Sequence, residues 1–68
     1  MFRGILFNRH EEIVFYRDYK SFEEAVKELN IEIDAHRDRN LASANIYKFL
    51  NPEVNQSMQM IASLRTMR

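Results

Sequence analysis

The sequence predicts a small α+β domain in the order ββααα: an N-terminal β-hairpin followed by two or three helices, all within one domain of residues 1–68. Three observations carry that expectation. Residues 2–7 and 12–17 are short runs rich in β-branched and aromatic side chains, separated by a polar connection of hairpin length. Ser21-Phe22-Glu23-Glu24-Ala25-Val26-Lys27-Glu28-Leu29 combines a helix start signal with an apolar stripe. Asn51-Pro52-Glu53 places an N-capping residue, a proline at the first helical position and an acid in the first turn.

The hairpin is expected over residues 2–17, with Asn8-Arg9-His10-Glu11 as its connection. That loop would set Phe7 opposite Glu12, Ile5 opposite Val14 and Arg3 opposite Tyr16 on one face. Leu6 would meet Ile13 and Gly4 would meet Phe15 on the other. Both faces are therefore apolar. A two-stranded sheet with one wet face should alternate cleanly, so each face of this hairpin calls for a cover.

The helix expected over residues 21–30 can supply one cover. The Ser21 hydroxyl is placed to accept a bond from a first-turn N–H, and Glu24 is placed to reach back to Ser21. Phe22, Ala25, Val26 and Leu29 fall within an arc of roughly 100° on a helical wheel, the width of a core-facing stripe. No Gly or Pro interrupts the chain from there to Asn51. An unbroken helix of that length would run roughly 45 Å, which is too long for a monomeric domain of this size. A break within residues 34–40 is expected instead. Ala42, Ile46, Phe49 and Leu50 then form the stripe of a helix over about residues 41–50.

The final helix is expected over residues 52–67. Its apolar side chains fill two adjoining arcs, Val54/Met58/Ile61/Ala62 and Met60/Leu64/Met67, which together exceed half the circumference. One core needs less than that, so part of this surface is left for a partner. Three of the four methionines lie here, and methionine adapts to irregular surfaces.

Composition excludes several classes of function. Cysteine is absent, which removes disulfides and thiolate metal sites, and a cytoplasmic location is expected. No apolar h-region follows Met1-Phe2-Arg3-Gly4, so no secretion signal is expected, and no apolar run is long enough to span a membrane. A hydrophobic content of 46% with 29% charged residues belongs to an ordinary globular domain rather than a disordered chain. Net charge is zero but uneven. Residues 1–34 carry five basic and eight acidic side chains, and residues 35–68 carry five and two. That is well short of the dense basic footprint of a strong nucleic-acid binder.

No catalytic constellation stands out, and no enzyme activity, cofactor, metal or small-molecule substrate is expected. The serines have no His or Asp tied to them by motif, and the single glycine lies in a strand rather than a phosphate loop. His10 and the run Asp34-Ala35-His36-Arg37-Asp38 hold the candidate metal ligands. On a strand, Asp34, His36 and Asp38 would share a face. The interleaved Arg37 and Arg39 oppose a cation, and a solvated charged turn is expected.

What remains is binding. A chain of 68 residues buries only about 60% of its unfolded surface. Unstapled small domains often gain stability by oligomerising. The expected function is a small non-catalytic protein-binding module, a regulator or inhibitor that self-associates as a homodimer or higher oligomer and docks on another protein. Its candidate interface is Ile5, Phe7, Val14 and Tyr16 of the hairpin with Met58, Met60, Ile61, Leu64 and Met67 of the final helix. The alternative is a nucleic-acid-binding regulator. Glu23-Glu24-Ala25-Val26-Lys27-Glu28-Leu29-Asn30-Ile31 and Ser43-Ala44-Asn45-Ile46-Tyr47-Lys48-Phe49-Leu50-Asn51 resemble the two helices of a helix-turn-helix. The connection of eleven residues between them is longer than that family's tight turn, and the turn glycine is absent. The resemblance implies base or phosphate contacts from Ser43, Asn45 and Lys48, with Arg37 and Arg39 on the backbone. Exposed hairpin aromatics offer another route, by stacking single-stranded bases.

Overall fold

The computed structural model describes residues 1–51 and 57–66. Its elements are β1 (Phe2–Asn8), β2 (Ile13–Tyr19), α1 (Phe22–Ala35), a 3-10 turn (Arg37–Arg39), β3 (Leu41–Asn51) and β4 (Ser57–Leu64). The strands form one antiparallel sheet in the order β2-β1-β3-β4, with α1 on one face. Because β2 and β3 both run antiparallel to β1, they are parallel to each other. The helix is the crossover between them.

Short-range chemistry sets the connections. The Asn8 side-chain oxygen accepts from the backbone N–H groups of His10 at 2.9 Å and Glu12 at 3.0 Å, which folds residues 9–12 into a side-chain-mediated turn. Ser21 caps α1 as expected, its hydroxyl accepting from Glu24 N–H at 3.1 Å. The helix ends at Ala35, within the expected break. Asn40 then takes a left-handed conformation (φ 55°) that asparagine tolerates better than most residues, and the chain turns into β3.

The core lies between α1 and the sheet. Ala25, Leu29 and Ile33, at helical spacing, meet Leu6 of β1, Tyr19 of β2 and Ala44 and Ile46 of β3. Fully burying a side chain such as Leu29 contributes about 1.5–3 kcal/mol. Gly4 lets the helix approach β1. A Cβ there would lie 3.1 and 3.2 Å from the Leu29 methyls and 3.2 Å from the Tyr19 ring.

Among the described residues, the four-stranded sheet and single helix overturn the ββααα expectation. Helix α1 extends five residues beyond residue 30, but no helix forms over residues 41–50. Neither does one form over the described part of 52–67. Residues 41–51 form a strand that pairs with the other edge of β1, which makes β1 a central strand. β4 then pairs with β3. The start signal at Pro52-Glu53 lies outside the described residues.

The hairpin register also differs. Ile5 pairs with Tyr16, Arg3 with Asp18, Gly4 with Arg17 and Leu6 with Phe15, while Phe7 pairs with Ile13 across a bulge. The loop is one residue later than expected, and Val14 becomes the extra residue of that bulge. A slip of two residues keeps side chains on their faces. Tyr16 therefore stays with Arg3 and Ile5, whereas bulged Val14 packs on the helix-side core.

Candidate functional site

The face of the sheet opposite α1 gathers side chains from all four strands. Following the ladders, β1 contributes Arg3, Ile5 and Phe7, and β2 contributes Ile13, Tyr16 and Asp18. Ser43, Asn45, Tyr47 and Phe49 come from β3, and Met58, Met60 and Ser63 from β4. Only Ile5, in the middle of the sheet, is buried. Tyr16 is 59% exposed and Met60 53%.

Arg3 organises the centre of this face. Its Nε donates to Asp18 Oδ1 at 2.7 Å and its Nη2 to Asp18 Oδ2 at 3.2 Å, a two-point pair across the β1–β2 ladder. The guanidinium carbon sits 5.2 Å from the Tyr16 ring centroid and 5.1 Å from that of Phe49. The hydrogen bond to Arg3 holds the Asp18 carboxyl below its ordinary range, and the bond to Asp18 raises the Arg3 guanidinium. Both groups therefore stay ionised at any physiological pH. They are the only charges among the described residues whose ladder positions place them on this face.

Beside that pair runs a neutral polar string. Ser63 Oγ donates to Asn45 Oδ1 at 2.8 Å, and Asn45 Nδ2 donates to the Tyr47 hydroxyl at 3.2 Å. Ser63 Oγ also lies 3.8 Å from Met60 Sδ. A shallow depression of about 440 Å³ opens at the end of β1 and β3, lined by Phe7, Asn8, Arg9, Ser43 and Asn45 among others. The arrangement offers rings, thioethers and neutral hydrogen-bonding groups. Among the described residues, no nucleophile is held against a base here.

The expected interface residues separate in three dimensions. Ile5, Phe7, Tyr16, Met58 and Met60 share the open face. Val14 and Leu64 pack against the core on the helix side, and Ile61 is the extra residue of a bulge in β4. Met67 lies outside the described residues. Tyr47 and Phe49 were missed as part of the face because residues 41–50 read as a helix. Their alternation with buried Ala44 and Ile46 is the signal that places them.

The nucleic-acid candidates do not form a recognition helix, since residues 43–51 are strand. Ser43 and Asn45 lie on the open face, Lys48 pairs with Phe2 on the other, and Arg37 and Arg39 sit in the 3-10 turn. Nor do Asp34, His36 and Asp38 share a strand. Asp34 is in α1, where Arg37 Nη2 approaches it at 3.6 Å. His36 ends the helix, its ring tilted on Phe15 with Nδ1 2.8 Å from the Glu32 carbonyl oxygen. Among the described residues, no three His, Asp or Glu side chains converge as a metal site.

Among the described residues, no helix is long and apolar enough to cross a membrane. Comparison with protein-family models, with curated proteins and with solved structures finds no match. The described residues themselves define a class: a four-stranded antiparallel sheet with one helical cover and one open aromatic face.

Proposed function

We propose that this chain is a small non-catalytic protein-binding module that docks through the open face of its sheet. One observation carries the reading. The helix covers a single face, and the other presents Phe7, Tyr16, Tyr47, Phe49, Met58 and Met60 around a pre-formed ion pair. Aromatic, methionine and arginine side chains are the residues enriched at the centres of protein interfaces. Arg3 is held in place by Asp18 and two rings, so little side-chain freedom is left to lose on binding.

The same rings raise the question of nucleic acid, because aromatic sheet surfaces stack bases. Such platforms pair their rings with basic side chains that meet the phosphates. Here the one cation at a ladder position of the described face already bonds a carboxylate, and Arg9 stands at its end, in a depression that Glu11 also lines. That balance favours protein.

Photo-crosslinking in the native cells tests the assignment. A benzophenone amino acid at Tyr16 or Met60 reports on the face, and one at exposed Ile31 reports on the outer side of α1. The expected result is a defined protein adduct from Tyr16 and Met60 and none from Ile31. Adducts from Ile31 alone, or nuclease-sensitive adducts from Tyr16, would overturn it.

A further inference from the structure

We infer that the occupant of the open face is a second copy of this chain, packed sheet to sheet about a two-fold axis with α1 outside on both copies. This rests on the reading of that face as the binding surface and adds the identity of the partner and the geometry.

Size supports it first. The two longer dimensions of the molecule, 36 and 25 Å, give the sheet face an area of at most roughly 900 Å². A stable interface of standard size needs roughly 800 Å² from each partner. The whole face must therefore be used, which a second flat sheet does and a narrow peptide does not. Aligned sheets pack about 10 Å apart with interdigitating side chains, and flexible methionines beside rings suit that packing.

Charge supports it independently. A two-fold interface meets its own image, so each patch must complement itself. A patch with net charge would repel its copy. Arg9 and Glu11, which line the depression at the end of the described face, balance each other in sign, and its ladder positions carry one arginine and one aspartate, already bonded to each other within the chain. Covering the pair leaves no unpaired charge, and breaking such a pair is what makes buried ions costly. Asn45, Ser63 and Tyr47 are likewise bonded among themselves. A face selected by a charged partner would carry the opposite sign rather than balance.

The sheet edges suit a second copy less well. Ile61 bulges from β4 and interrupts its outer row of backbone groups, and β2 carries Arg17 and Asp18 on the other edge. Bulges and charges are the usual guards against edge pairing.

Sedimentation equilibrium of the full chain from low to high micromolar concentration is the test, with folding of each variant checked by circular dichroism. The wild type is expected to be a dimer. Tyr16→Glu and Met60→Glu replace residues more than half exposed in the single chain, so each is expected to fold and to weaken the dimer at least tenfold. Ile31→Glu, on the helix, is expected to leave it unchanged. The chain has no cysteine, so Met60→Cys and Ile31→Cys give unique spin-label sites. Labels at Met60 should lie close across the two facing layers, and labels at Ile31 should be held apart by both. A chain that stays monomeric at every concentration overturns the second-copy inference. So does a dimer that Ile31→Glu weakens or one with close Ile31 labels. A monomer whose Tyr16 crosslinks to a different protein overturns only this inference, whereas crosslinks from Ile31 alone overturn the reading of the face.

Discussion

Arg3 and Asp18 face each other across the β1–β2 ladder, joined at both carboxylate oxygens, with the Tyr16 and Phe49 rings near the guanidinium. The pair depends on register, because the hairpin alignment read from the sequence sets Arg3 against Tyr16 instead. In the observed register the ring of Tyr16 is one step along the same face, beside the ion pair rather than in place of it. An apolar surface thereby acquires a fixed, neutral polar centre.

That pair has a pH signature. Asp18 titrates below its ordinary value because it accepts from Arg3. A carboxyl with a depressed folded pKa stabilises the fold above its unfolded value, about 3.9, and loses that contribution as pH falls through the folded one. Side-chain exposures of 28% and 37% leave the pair screened by solvent, so its contribution is about 1 kcal/mol or less. Asp18→Asn is therefore expected to unfold slightly earlier than wild type in a neutral thermal melt. The gap should close on acidification. A constant gap down to the acid limit would show that the pair is not its source.

Tyr19 carries a different polar group. The residue is 3% exposed, and among the described residues its hydroxyl has no hydrogen-bond partner. An unsatisfied buried hydroxyl costs about 1–3 kcal/mol relative to its hydration in the unfolded chain. Tyr19→Phe keeps the ring and removes that cost, so it should be at least as stable as wild type in denaturant unfolding. Burial also raises the phenol pKa. A raised folded pKa means stability that is present below the unfolded value, about 10, and is lost as pH rises through the folded one. Tyr19→Phe should lack that share of the alkaline loss. A clear loss of stability in the variant would mean that the hydroxyl has a partner in solution.

Gly4 tests the fit of helix on sheet. Its added methyl would press on the Leu29 methyls and the Tyr19 ring at 3.1–3.2 Å. Overpacking of that kind costs about 1–3 kcal/mol, against less than about 1 kcal/mol gained from a stiffer unfolded chain. Gly4→Ala is expected to lower the denaturant midpoint with the slope unchanged. Equal or higher stability would show that Leu29 moves aside at no cost.

Two helix variants separate local from tertiary contributions. Ser21→Ala removes the hydrogen bond to Glu24 N–H and should cost about 1 kcal/mol. Leu29→Ala empties a fully buried position and should cost about 2–5 kcal/mol. Equilibrium unfolding of both gives the comparison. A cap variant as damaging as Leu29→Ala would mean that α1 is held mainly by its own start rather than by the sheet.

Those parts of the fold whose information is local were legible in the residues alone. Ser21 and the stripe of Ala25 and Leu29 specified α1, because capping and period 3.6 act within a few residues. The apolar runs around Ile5 and Val14 specified a hairpin, and α1 covers one of its two apolar faces. Strand pairing settled what became of the second half. Bulges at Ala42 and Leu50 bracket residues 43–49, which alternate as a strand should. The apparent helical stripe of Ala42, Ile46, Phe49 and Leu50 was assembled from those two bulge residues and one residue from each face. In β4 the bulge at Ile61 hides the period in the same way. A bulge shifts strand phase by one residue, and its place is set by the ladder partner, which lies far away in the chain. Periodicity within one segment cannot register that partner, so the open face built on β3 and β4 became visible only once the strands were paired.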